Sequence, residues 1–115
     1  MQVTIYHNPR CSKSRQALEL LKERGIEPDI VEYLKTPPDR ETLERLFKLL
    51  HIKPRELLRK NEPEYKQAGL DDPTLSDEDL ISALIRHPIL LERPIVVSGA
   101  KAVIGRPPER VFEIL

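Results

Sequence analysis

The stretch Val3–Leu34, VTIYHNPRCSKSRQALELLKERGIEPDIVEYL, decides the fold. Val3–Tyr6 is β-branched and aromatic and reads as a short strand. His7-Asn8-Pro9-Arg10-Cys11 breaks it. From Ser12 the period changes: Ser14, Ala17, Leu18 and Leu21 fall at i, i+3, i+4 and i+7, one face of a helix, with Gln16, Glu19, Lys22 and Glu23 on the other. Gly25 stands where a C-terminal cap is expected. Asp29–Leu34, with Ile30, Val31 and Tyr33, reads as a second strand. Strand, helix, strand in this order is a βαβ unit, which requires parallel pairing and a right-handed crossover.

Working outward, the middle of the chain is helical. Thr36-Pro37-Pro38-Asp39 reads as a helix start, with Thr36 as the cap, followed by the stripe Leu43, Leu46, Phe47 and Leu50. Lys53-Pro54 begins a short helix through Leu57, Leu58 and Arg59, and Glu64–Gly69 supplies a further turn or two. Ser76-Asp77-Glu78-Asp79 is a capping box ahead of Leu80, Ile81, Leu84 and Ile85, in a helix that Pro88 stops. Residues from about 36 to 91 therefore form a helical insertion, within the boundary tolerance of such readings. Beyond it, Ile95-Val96-Val97 and Ala102-Val103-Ile104 read as paired strands across a turn at Gly99-Ala100-Lys101. Gly105-Arg106-Pro107-Pro108 leads into a last helix with Val111, Phe112 and Leu115 on one side. There is no internal repeat, low-complexity tract or interdomain linker.

The bulk properties narrow the function. A chain of 115 residues suits one domain, and 39% hydrophobic residues suffice for one modest core. The 19 basic and 19 acidic residues cancel, which argues against a general nucleic-acid binder. No apolar run is long enough to span a membrane. Met1–Tyr6 lacks the charged and apolar regions of a signal peptide, so a cytoplasmic location is expected. His51 and His87 have no metal partners at useful spacing and read as structural; no Cys/His cluster supports zinc, and no Gly-rich phosphate loop is present. No bound metal or cofactor is expected.

Cys11 is the only cysteine. It cannot form an internal disulfide, so redox chemistry there needs a thiol from another molecule. A lone cysteine is by default a small buried residue. This one, however, stands where a strand ends and a helix begins, at unpaired N–H groups and the positive end of the dipole, both of which favour a thiolate. His7 and Arg10 are close enough in sequence to add positive charge. Ser14 lies three residues on, so its hydroxyl can face the sulfur across one helical turn. Arg93-Pro94 leads into an apolar strand, a position that admits a cis peptide; Arg106 also precedes proline, and Arg59 lies in a short helix. Each of the eleven arginines is by default a solvated charge. Three converging on a thiolate would suit a tetrahedral oxyanion, but spacing does not show that they converge.

His7-Asn8-Pro9-Arg10-Cys11-Ser12-Lys13-Ser14-Arg15 resembles the glutaredoxin-coupled arsenate reductase family. The likeness continues through Tyr33-Leu34, Thr36-Pro37-Pro38, Leu57-Leu58-Arg59-Lys60-Asn61, His87-Pro88-Ile89-Leu90, Arg93-Pro94-Ile95-Val96-Val97 and Arg106-Pro107, in order over nearly the whole chain. The resemblance implies an α/β fold of the thioredoxin or glutaredoxin type, a βαβ and ββα core with a helical insertion. It implies Cys11 as the nucleophile that attacks arsenate, with His7 helping to keep the thiolate charged and the Ser14 hydroxyl near the sulfur. It makes Arg59, Arg93 and Arg106 the oxyanion ligands. Glutathione would attack the Cys11 adduct, glutaredoxin would remove the mixed disulfide, and arsenite would leave. The chain departs from the better-known members at Ser12-Lys13, where they carry Gly and Thr; Lys13 adds a charge beside the thiolate.

Two other readings compete. A glutathione-dependent thiol–disulfide oxidoreductase that does not act on arsenate would have no use for three arginines. A non-enzymatic redox-linked transcription regulator of similar fold would sense oxidation with a Cys-x-x-Cys pair, and position 14 is serine.

Overall fold

The computed structural model describes residues 2–115. They fall into two compact units: the chain up to Thr36 together with Arg93–Leu115, and Pro37–Glu92.

The first unit is built on a four-stranded sheet. Strand β1 (Val3–His7) is followed by helix α1 (Ser12–Glu23) and β2 (Asp29–Glu32); β3 (Ile95–Ser98) and β4 (Lys101–Ile104) come from the far end of the chain. The spatial order is β2-β1-β3-β4. β1 runs parallel to β2, with His7 opposite Glu32, and antiparallel to β3, with Ile5 opposite Val96. β3 and β4 form an antiparallel hairpin in which Val96 faces Val103. The hairpin loop is the two residues Gly99 and Ala100, and Lys101 already belongs to β4 rather than to the turn. Gly99 has φ +61°, the left-handed conformation that two-residue hairpin loops demand.

Side chains alternate across the pleat, so Val3, Ile5 and His7 are buried on one face of β1. Val3, Ile5, Val96 and Val103 pack against Ala17 and Leu21 of α1 and against Val111 and Ile114. Ser14, Ala17 and Leu21 are the buried positions of α1, as its periodicity predicts, and Leu18 is half-buried. The closing segment Pro108–Ile114 is a 3₁₀ helix, not the α-helix expected. At three residues per turn, Pro108, Val111 and Ile114 share its buried side, which leaves Leu115, expected on the apolar side, 43% exposed.

The second unit is helical: α2 (Arg40–Leu50), α3 (Pro63–Gln67), α4 (Asp77–Arg86) and 3₁₀ turns at Pro54–Leu57 and Pro88–Leu90. The cap of α2 is Asp39, whose carboxylate accepts the Thr42 N–H at 2.8 Å, rather than Thr36. Ser76 and Asp79 form the expected capping box at the start of α4. The Arg40 guanidinium spans from α2 to Glu78 and Ser82 of α4, 2.7 Å from each. Arg59 lies beyond its expected helix, which ends at Leu57. Leu58 forms a β-bridge with Leu91, and Arg59 N–H donates to the Leu90 carbonyl at 2.7 Å.

Candidate active site

The loop between β1 and α1 is organised by Asn8, which is buried. Its carbonyl accepts the Cys11 N–H at 3.0 Å, and its side-chain Oδ1 accepts the Arg10 N–H at 3.0 Å. Its own N–H donates to Ser14 Oγ at 3.0 Å. Arg15 adds a bond from Nη1 to the Pro9 carbonyl at 2.8 Å. Asn before Pro is a turn signal legible in the sequence, since the Asn side chain bonds the backbone two residues on.

Ser14 Oγ also lies 2.6 Å from His7 Nδ1. While it accepts from the Asn8 amide, the hydroxyl has a proton to give Nδ1. Burial pushes the His7 pKa below its ordinary value, with Arg15 and Lys22 adding to the effect and Glu32 opposing it. These effects favour the imidazole in its neutral form. The Ser14 hydroxyl bonds His7 and Asn8, and it is the Ser14 peptide N–H that favours the thiolate.

Cys11 is the N-cap of α1, in extended conformation, and is partly exposed. Its sulfur makes no capping bond of standard geometry. Burial alone would raise the thiol's pKa. The Ser14 N–H, the Arg93 guanidinium and the Lys13 N–H outweigh it, and the pKa lies below the ordinary thiol value. Arg106 adds a guanidinium nitrogen, Nη2, 3.6 Å from Sγ. Its Nε donates to the Arg93 carbonyl at 2.7 Å, so one arginine's backbone orients the other's side chain.

Arg93 is buried and sits just ahead of β3. The Arg93–Pro94 bond is cis, the isomer the sequence admits, and Arg106–Pro107 is cis as well. Gly105 N–H donates to the Pro94 carbonyl at 2.9 Å. A Cβ at Gly105 would stand 2.9 Å from Pro94 Cγ, so glycine is required for this close approach. Cys11, Arg93 and Arg106 therefore meet. The combination of a nucleophilic sulfur and two planar cations suits attack on a tetrahedral oxyanion.

Arg59 belongs to the helical unit. There its Nη1 pairs with Glu92 at 3.0 Å and its Nε with Glu62 at 3.3 Å. His51 and His87 cap the ends of α2 and α4. Among the described residues no group of His, Cys, Asp and Glu side chains is placed to hold a metal, and no helix is long and apolar enough to cross a membrane.

Residues 6–114 match the ArsC family. The chain belongs to that family. Its relatives include the uncharacterised protein YfgD of Escherichia coli K12, 57% identical over 99% of this chain and 97% of that protein. The arsenate reductase of Neisseria meningitidis serogroup A is 48% identical over 99% of this chain and 98% of that one. The solved structure of an arsenate reductase from Vibrio cholerae superposes with a TM-score of 0.97 at 50% identity, covering 100% of this chain and 98% of the other. The fold is thus the thioredoxin-like α/β fold of the ArsC proteins.

Proposed function

We propose that this ArsC protein is an arsenate reductase in which Cys11 is the nucleophile. The observation that carries the reading is the Cys11 sulfur, its pKa lowered at the start of α1, beside the guanidinium groups of Arg93 and Arg106. Arg93 and Arg106 hold the oxyanion. Arg59 is the third oxyanion ligand, on the strength of the Leu57-Leu58-Arg59-Lys60-Asn61 resemblance. His7 and Ser14 act by holding the loop that carries Cys11. The whole chain works as a single thioredoxin-like domain with residues from about 36 to 91 as a helical insertion.

The chemistry conserves atoms and electrons in four steps. The Cys11 thiolate attacks arsenic, and one arsenate oxygen leaves as water, giving an As(V)–S bond. The thiol of glutathione displaces a second oxygen as water. A glutaredoxin thiolate then attacks the glutathione sulfur: the S–S bond forms, the bond from arsenic to that sulfur breaks, and its electron pair stays on arsenic as As(III). Hydrolysis of the remaining As–S bond releases arsenite and returns Cys11. Two external thiols become one disulfide, which matches a chain with a single cysteine. A cytoplasmic setting follows from the same need, because thiol pools are kept reduced there.

The test is a coupled assay with arsenate, glutathione, glutaredoxin and NADPH. Turnover is expected in the native chain and none in Cys11→Ser; full activity in that variant would sink the mechanism.

A further inference from the structure

β1 and β2 run parallel, so both strands end at the same edge of the sheet, where α1 begins. A groove of about 290 Å³ is lined by Asn8 and Arg10 from the loop after β1, by Glu32 at the end of β2, and by Leu34 and Lys35 beyond it. Arg10 immediately precedes the nucleophile, Cys11, in the chain. The arsenate reading uses none of Arg10, Leu34 or Lys35.

The groove is small and mostly apolar in its lining, with two cations, Arg10 and Lys35, and one anion, Glu32, around it. Lys35 and Glu32 pair with each other at 3.6 Å, and the Lys35 side chain is 78% exposed. An exposed pair of this kind contributes little and is readily exchanged for a charged ligand. Glutathione has the complementary set: two carboxylates and one ammonium around a central thiol. We propose that glutathione docks in this groove, its carboxylates on Lys35 and Arg10 and its ammonium on Glu32, and delivers its thiol to the Cys11 adduct. This rests on the glutathione-dependent reading above.

The probe is S-methylglutathione, whose blocked sulfur allows binding without reaction. Titrated into the ¹⁵N-labelled full chain, it shifts the amide signals of Asn8, Arg10, Leu34 and Lys35. In Lys35→Glu the same titration requires about tenfold more ligand, and the KM for glutathione in the coupled assay rises by a similar factor. The Cys11 thiolate pKa and the arsenate half-saturation stay at native values, which separates lost docking from a damaged nucleophile. Shifts confined to other residues, or native affinity in Lys35→Glu, overturn the docking site. If the native chain shows no glutathione-dependent turnover, the functional reading fails, while the titration still decides whether the groove takes this ligand.

Discussion

The site has two halves of different construction. The loop from His7 to Ser14 is closed by hydrogen bonds between residues no more than seven apart, most of them to Asn8 or Ser14. The arginine corner at Arg93, Pro94, Gly105 and Arg106 is assembled at the open end of the β3–β4 hairpin, from the residues before β3 and after β4, and its contact with Cys11 spans 95 residues. The loop supplies peptide N–H groups to the sulfur, and the corner supplies full charges. The first depends on local backbone geometry, the second on packing of the whole sheet unit. Each half can therefore be broken while the other is left standing.

The largest effect is expected in the corner. Arg93→Ala removes a guanidinium that holds the Cys11 thiol below its ordinary pKa. The thiolate pKa should rise, and single-turnover adduct formation with arsenate should slow by about 10²-fold, the scale of losing one preorganised oxyanion donor. Unchanged rates would show that the corner is not part of the site. Asn8→Ala attacks the loop. It removes the buried acceptor of the Arg10 N–H and is expected to cost about 1–3 kcal/mol of stability, read as a lower midpoint in urea, together with slower alkylation of Cys11. If midpoint and alkylation both stay native, the loop is held by something other than Asn8.

Gly105→Ala sharpens the contrast at smaller scale. Its new methyl crowds Pro94 Cγ at 2.9 Å, an overpacking of about 1 kcal/mol or somewhat more. Amide exchange in the loop should stay native while the thiolate pKa moves up; protection lost at Asn8 and Arg10 as well would mean that the two halves are not separable. The smallest effect concerns His7. Its folded pKa is depressed, so the stability it confers is present above the ordinary histidine value of about 6.5 and is lost as pH falls through the lowered folded value. His7→Gln should flatten this acid limb in a series of denaturation midpoints. An identical pH profile would assign the limb to other groups.

The same division explains what could be read in advance. The βαβ unit, the helical middle and the hairpin follow from periodicity and punctuation, because Ala17, Leu21, Ile5 and Val96 sit where a core needs them. The place of Cys11 at a helix start is equally local. The meeting of Arg93 and Arg106 with its sulfur is not, since no spacing encodes how a hairpin packs beside a distant loop. Local detail is ambiguous where two chemistries suit one residue. Ser14 stands one helical turn from Cys11, and its hydroxyl also bonds the buried imidazole and the Asn8 amide, contacts that spacing does not encode. Thr36 and Asp39 can both cap a helix, and the two intervening prolines leave the later residue to do it. The segment after Pro107 carries apolar residues compatible with either helical period, and the tighter one brings Ile114 rather than Leu115 into the core.

The bond from Arg106 Nε to the Arg93 carbonyl has a consequence for any mutational dissection of the site. The acceptor is main chain, so no side-chain replacement at position 93 deletes it. Arg93→Ala subtracts one charge and leaves the aim of Arg106 intact, whereas Arg106→Ala leaves behind an acceptor that water must satisfy. In a double-mutant cycle the pair should couple through their shared anion and scarcely at all through this bond. Arg93 thus has two separable parts, a side chain that substitution can alter and a backbone anchor that substitution leaves in place.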